Sequence, residues 1–490
     1  MADFDILVIG GGVNGAGIAR DAAGRGYSVL LCEKDDLAQA TSSASSKLIH
    51  GGLRYLEQYD FRLVRDALRE REVLLRAAPH IVRPLRFVLP HDDTLRPAWL
   101  IRAGLFLYDH LGARKVLPGS ERIDLNRHPA GAPLTPGLAT GFAYSDCRVD
   151  DSRLVVLNAL DAALRGAVVR PRTAVASMQP QGPEWRATLR SEQNNSEETV
   201  TARAVVNAAG PWIGHALDGA APKSVRLVKG SHFTVPKLYD GDHAYILQNA
   251  DRRVVFVIPY EGKYSLIGTT DTDYDDDPAD VECSDKDIAY LCEAVNRWFQ
   301  PGINASQITW TYAGVRPLLD DASETASSVS RDYRLDFEQS QDLGPVLTVV
   351  GGKVTTYRKL AEQALDRLSP ALGGGKGPWT AQAALPGGDM PNADFDAYLA
   401  EARRRYSWLP AEMLCRLTSA YGTRLETVLG GATGLTDLGE DFGGGLYEAE
   451  VDYLTQQEWA TTPDDILWRR SKLGLHTDAT VRDRLQAWLD

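Results

Sequence analysis

The sequence predicts an α/β protein with a parallel sheet built around the N-terminus, an antiparallel sheet in the middle and a helical tail. Three observations carry this reading. Residues 4 to 33 contain two short apolar runs separated by glycines and a small-residue helical pattern, the order of a βαβ unit. Between residues 225 and 320 apolar and polar residues alternate, as in strands with one buried face. Beyond residue 385 the pattern is helical, with Trp, Leu and Arg recurring as far as Asp490.

The first strand is Phe4-Asp5-Ile6-Leu7-Val8-Ile9, and it stops at Gly10-Gly11-Gly12. Small residues follow at helical spacing from Val13 to Arg25, and a second apolar run from Tyr27 to Cys32 ends at Glu33. After a Ser-rich loop at residues 41 to 46, Phe61, Val64, Leu68 and Leu75 recur at helical spacing among Arg and Glu, which predicts an amphipathic helix from Phe61 to Ala77. The runs Val254 to Ile258 and Tyr264 to Ile267 flank Glu261-Gly262-Lys263, a hairpin signal. The polar stretch Glu192 to Glu198 reads as a solvated hairpin tip, and Gly373-Gly374-Gly375-Lys376-Gly377-Pro378 as a linker. There is no internal repeat. These signals divide the chain into a discontinuous parallel-sheet domain (residues 1–80, 141–224 and 321–370), an antiparallel cap (residues 81–140 and 225–320) and a helical C-terminal domain (residues 385–490).

At 490 residues the chain is long enough for two or three cores. A formal net charge of -13 argues against a general affinity for nucleic acid, which depends on Lys and Arg neutralising phosphates. Cys32, Cys147, Cys283, Cys292 and Cys415 form no C-x-x-C pair, which fits packing residues in a reducing compartment. No basic n-region precedes an apolar h-region at the start, so a secretory leader is not expected, and no window offers the roughly 18 apolar residues of a spanning helix; Ala98 to Tyr108 is short and holds Arg102.

Gly10, Gly12 and Gly15 form a G-x-G-x-x-G turn between a strand and a helix, the setting in which that motif is informative. Gly10 permits the sharp turn, Gly12 a close approach of a pyrophosphate, and Gly15 the packing of helix on sheet, while the helix N-terminus offers N–H groups to phosphate. Glu33, 18 residues after Gly15, stands where a carboxylate accepts bonds from an adenosine ribose. FAD and NAD share this fingerprint. Val205 to Gly210 and Gly351-Gly352-Lys353 add two further close backbone approaches, and no second G-x-G-x-x-G occurs in strand-turn-helix context. A single bound cofactor that is reduced and reoxidised in place points to a flavin, FAD, within a Rossmann-like domain.

Other chemistries lack their motifs. Asp271, Asp273, Asp275 and Glu282 imitate a calcium loop, but Asp276 replaces the required glycine and Pro278 interrupts the loop. H-E-x-x-H, G-x-S-x-G and a P-loop are absent, so no metal site, serine hydrolase or NTPase is expected.

The segments Ile9 to Gly26 and Gly351 to Ala361 resemble the two signatures of FAD-dependent glycerol-3-phosphate dehydrogenases, the respiratory enzymes. Ser45-Ser46-Lys47-Leu48-Ile49-His50-Gly51-Gly52-Leu53-Arg54-Tyr55-Leu56-Glu57 and Tyr312 to Leu318 resemble that family too, so the likeness covers residues 4 to 370 and continues less specifically into the tail. The resemblance implies cofactor contacts from Gly10, Gly12, Asn14, Gly15, Glu33, Lys34, Thr41, Ser42, Ser45, Ser46, Lys47, Leu48, Ala209, Gly210, Gly352, Lys353 and Thr355. It implies sn-glycerol 3-phosphate as substrate, oxidised to dihydroxyacetone phosphate, with Arg54, Tyr55, Thr269, Arg316, Arg331 and Lys353 around it. Fixed arginine forks suit a phosphate dianion. Oxidation of the C2 alcohol needs a base, for which His232 and His50 are candidates, while Arg316 or Lys353 would stabilise the developing alkoxide.

The family is peripheral to a respiratory membrane and reduces quinone, which implies the cytoplasmic face of the inner membrane, or the cytoplasm. In agreement, Lys and Arg outnumber Asp and Glu between Lys47 and Lys115, and Arg96 to Tyr108 mixes Trp99, Leu100, Phe106 and Leu107 with Arg residues. An oxidase that returns electrons to oxygen and a non-catalytic flavin scaffold remain the alternatives. The aromatic and arginine content of the C-terminal helices suits a homodimer face or a docking surface.

Overall fold

Strand Phe4–Ile9 lies inside its sheet, with Val29–Cys32 pairing parallel on one side and the apolar half of Glu197–Asn207 parallel on the other. The order across the sheet is Tyr333–Glu338, Val346–Gly351, Glu197–Asn207, Phe4–Ile9, Val29–Cys32 and Val168–Arg170, with only the Tyr333–Glu338 pairing antiparallel on this path. One face is covered by helices Val13–Arg25, Asp151–Leu164 and Tyr357–Leu368 and the other by the hairpin Thr173–Gln181 and Glu184–Ser191, so the inner strands are buried on both sides. The computed structural model describes residues 2–92, 96–112, 114–214, 225–249, 251, 253–319, 329, 331–340 and 342–490. Segments 215–224 and 321–328, assigned from sequence to the nucleotide-binding domain, lie outside the described residues.

The second sheet is built on Val225–Pro236, which pairs antiparallel with Tyr264–Gly268 and with Trp310–Leu319. It continues through Val254–Tyr260 and Ala244–Gln248 to Val82–Pro90 and Thr140–Val149. The sequence-based boundary at residue 141 assigned residues 141–149 to the first domain; the hydrogen bonds of strand Thr140–Val149 run instead to Val82–Pro90, so all of it is a strand of the second sheet. Helix Asp285–Asn296 packs on one face through Leu291 and Val295, and helices Phe61–Ala77 and Ala98–Leu111 on the other through Val64, Leu68, Ile101 and Leu105.

Helices Phe395–Arg405, Ala411–Tyr421, Glu448–Glu458 and Ala479–Leu489 surround their own core of Leu414, Leu417, Tyr421, Phe442, Leu454 and Leu485. Ionic contacts tie this tail to the first sheet. Arg153 pairs with Glu458, both fully buried. Arg470 Nη1 lies 2.6 Å from Asp36 Oδ2, again with both side chains fully buried, and Arg469 Nε reaches the same oxygen at 2.5 Å. Lys472 Nζ donates to Ser152 Oγ at 2.7 Å. Buried charges of this kind require such complete pairing.

Candidate active site

The C-terminal ends of the parallel strands open onto a cavity of about 350 Å³, the position at which open α/β sheets bind ligands. Its walls follow from local chain geometry. Gly10 has φ +107°, and a Cβ there would lie 2.5 Å from the Ala208 carbonyl oxygen. A Cβ on Gly15 would collide with the Gly10 carbonyl oxygen. The two glycines thus let strand, helix and the Ala208 turn meet at one point. Glu33 Oε2 accepts from Gly11 N at 2.6 Å and Oε1 from Asp35 N at 2.9 Å, fixing the far end, and burial raises its pKa. Ser42 Oγ accepts from Val13 N at 3.0 Å, and Asn14 Nδ2 donates to Gly351 O at 3.3 Å.

Of the sequence-derived cofactor residues, Gly10, Gly12, Asn14, Glu33, Lys34, Thr41, Ser42, Ala209, Gly210, Gly352 and Lys353 line this cavity. Gly15, Ser45, Ser46, Lys47, Leu48 and Thr355 are not among its lining residues. Lys47 is buried against Asp151 at 3.0 Å, Ser45 Oγ donates to the same carboxylate at 2.7 Å, and burial lowers the Lys47 pKa. Leu48 packs in a strand, and Thr355 Oγ1 accepts from His50 N at 3.2 Å. Sequence reasoning missed Asp151, for which no motif exists, and Trp212, which lines the cavity with its ring 4.4 Å from Lys34 Nζ.

Beside the cavity the sequence-distant cations converge. Arg316 Nη1 and Arg331 Nη2 approach the same atom, Asp271 Oδ1, at 2.9 and 2.8 Å, and Arg54 Nη1 lies 3.9 Å from Asp271 Oδ2. Arg316 also donates to Thr270 O at 3.1 Å, and Arg316 and Thr269 Oγ1 both lie over Gly230. Arg331 is 8% exposed, and its Nη1 has no partner among the described residues. Lys353 Nζ donates to His50 O at 2.8 Å and sits 5.0 Å from the Tyr55 ring centroid. Burial lowers Lys353 to about 7, with Arg331 acting in the same direction and Asp146 against it.

The two histidines differ. His232 is 3% exposed and stacked on Tyr312 at 4.8 Å; its Nε2 meets Ser46 Oγ at 2.8 Å, and its Nδ1 has no partner among the described residues. Burial, with Lys47 and Arg316 nearby, lowers His232 to about 3, so its ring is neutral at ordinary pH. His50 is partly buried and edge-on to Phe256, and burial and Lys353 push its pKa well below the usual range. Neither ring lines the cavity.

A close backbone approach at Gly10, a helix N-terminus at Val13 and a carboxylate closing the second strand fit an adenine dinucleotide. Residues 5–337 match the family model described as FAD dependent oxidoreductase, and residues 378–490 the one described as C-terminal domain of alpha-glycerophosphate oxidase. A glycerol-3-phosphate dehydrogenase of Pseudomonas aeruginosa is 53% identical, over 99% of this chain and 95% of its own. The chain belongs to the FAD-dependent glycerol-3-phosphate dehydrogenase family. It is an oxidoreductase, and its cofactor is FAD. The crystal structure of a Bacillus halodurans glycerol-3-phosphate dehydrogenase with FAD matches with TM-score 0.79 at 28% identity, covering 99% of this chain and 90% of that one. A D-erythritol 1-phosphate dehydrogenase of Brucella abortus is 50% identical over 99% of this chain and 97% of its own, so the family contains more than one polyol phosphate activity.

Proposed function

We propose that this member of the family oxidises sn-glycerol 3-phosphate to dihydroxyacetone phosphate and passes the electrons to a quinone at a membrane surface. The carrying observation is the meeting of Arg54, Arg316 and Arg331 at one place beside the cofactor cavity, with Lys353 on its wall. Guanidinium forks fixed in a partly dry site are the chemistry that recognises a phosphate ester. Gly10, Gly12 and the helix beginning at Val13 would hold the FAD pyrophosphate, and Glu33 a ribose. FAD, when bound, supplies the acceptor for the hydride leaving C2.

The alcohol proton goes to Lys353 Nζ. A group near 7 is half uncharged at neutral pH, and one N–H of this amine is already given to His50 O, leaving its lone pair available. The Tyr55 ring favours the ammonium once it forms. This assignment departs from the histidine bases expected from sequence: Ser46 occupies His232 Nε2, and burial holds both rings neutral and weakly basic. His232 then serves to hold the Ser46 loop, and Arg316 stabilises developing negative charge on the substrate.

The quinone reading rests on helix Ala98–Leu111. Trp99 is 72% and Phe106 58% exposed there, and Leu100 and Leu107 are exposed as well. That helix packs against Leu53–Gln58, the turn that carries Arg54 and Tyr55, so an apolar surface adjoins the substrate residues. Among the described residues no helix is long and apolar enough to cross a membrane, and an exposed apolar helix face of this kind suits lying on a lipid surface, where a quinone is met.

The test is anaerobic mixing with sn-glycerol 3-phosphate while flavin absorbance is followed, then reoxidation by quinone or by oxygen. Bleaching followed by faster reoxidation with quinone is expected. Oxygen reoxidation at the turnover rate, with quinone inert, would leave an oxidase. Because of the Brucella relative, D-erythritol 1-phosphate is the second substrate to try; a higher kcat/KM for it would reassign the substrate.

A further inference from the structure

Asp271 is the first residue of the aspartate repeat that imitates a calcium loop, and its environment is cationic. One oxygen of its carboxylate receives both Arg316 and Arg331, and the other faces Arg54. These arginines come from three distant segments: the turn Leu53–Gln58, strand Trp310–Leu319, and the position two residues before strand Tyr333–Glu338. Like charges drawn to one point repel strongly where water is scarce, so a central anion is needed to hold them together. Asp271 is itself 9% exposed on its side chain and cannot rely on solvent to do this.

We infer that Asp271 is a positioning residue for phosphate recognition, holding three arginines in register and setting their combined charge to suit a phosphomonoester dianion. Three guanidinium groups meet at one carboxylate, so Asp271 offsets only part of their positive charge. A phosphomonoester carries close to two negative charges above its second ionisation at about pH 6. A free binding direction remains in the cluster, because the buried Nη1 of Arg331 is not used by any described residue. A diester carries only one charge and is drawn less strongly to a cluster of guanidinium groups, which makes the dianionic monoester the favoured class.

This inference rests on the proposed phosphate-ester substrate, and its test separates the two. If wild-type holoenzyme is not reduced by sn-glycerol 3-phosphate, the substrate assignment fails whatever Asp271 does. The test proper uses FAD-loaded Asp271→Asn and Asp271→Glu, with flavin content and melting temperature as controls on folding. Inorganic phosphate is titrated by calorimetry, and KM and kcat are measured with sn-glycerol 3-phosphate. In Asp271→Asn, KM and the phosphate Kd should rise together, on the order of 10- to 100-fold, while kcat falls far less. Asp271→Glu should recover most of that loss. Unchanged or tighter phosphate binding in Asp271→Asn overturns the inference, since the carboxylate would then be a bystander or a competitor of the anion. So does a collapse of kcat at constant KM, which would mean a role at the reacting atoms. Should the Asn variant not fold, Asp271→Ser takes its place in the same assays: weaker phosphate binding at preserved kcat supports the inference, and wild-type values of both overturn it.

Discussion

Lys353 Nζ donates a 2.8 Å hydrogen bond to the backbone carbonyl of His50, joining the end of strand Val346–Gly351 to the loop before the turn that carries Arg54. The bond holds the amine in place without using its lone pair. Because burial sets Lys353 near 7, its uncharged fraction rises with pH through that value and falls below it. The limiting step at low pH should therefore weaken as pH drops below about 7, visible in kcat/KM against pH. Lys353→Met is expected to lose that limb and about 10²- to 10⁴-fold in rate. The same limb persisting in Lys353→Met would remove the residue from the role of base.

Arg316 sits between Asp271 and the Thr270 carbonyl, with its side chain 28% exposed. Arg316→Ala should raise KM for sn-glycerol 3-phosphate by about 10- to 100-fold, the cost of one charge-assisted partner. Arg316→Lys should recover little, because an ammonium cannot form the planar fork. Competitive inhibition by inorganic phosphate provides the independent readout and should weaken in parallel.

Gly15→Ala probes the cofactor cradle. Its new methyl would run into the Gly10 carbonyl, and neither backbone segment can yield without moving the turn. Overpacking of this kind costs about 1–3 kcal/mol. The purified variant is expected to carry less flavin per chain and to melt at lower temperature, and full flavin occupancy would show that the contact is relieved by other means.

Trp99→Ser combined with Phe106→Ser tests the surface helix. Each side chain, if seated in lipid, contributes about 1.5–3 kcal/mol. Co-sedimentation with vesicles should fall by at least about tenfold, and quinone-linked turnover with it. Reduction of a soluble dye by the same protein should remain at the wild-type level; a matching fall with the dye would point to damage at the substrate site.

What the sequence discloses depends on how local the governing physics is. The βαβ start is legible because strand, glycine turn, helix and Glu33 are neighbours in the chain, and each position has a steric or hydrogen-bonding reason visible within a few residues. Helix Phe61–Ala77 is legible for the same reason, since its periodicity is its own. Strand Thr140–Val149 carries no mark of which sheet it joins, because its pairing with Val82–Pro90 is a long-range choice. Asp271 looks like one of several surface aspartates until Arg54, Arg316 and Arg331 are brought to it from three directions. The weak basicity of His232 is likewise invisible in sequence, since it comes from burial and from Lys47 and Arg316.

The ion pairs of Arg469 and Arg470 with Asp36 have a wider meaning, because Asp36 lies three residues beyond Glu33 in the loop that borders the cofactor cavity. These pairs couple the tail to the nucleotide loop, and thermodynamic reciprocity requires that what tightens one through them tightens the other. Inherited or engineered damage to the tail would therefore present first as a colourless protein starved of its flavin, long before it was recognised as the loss of a domain.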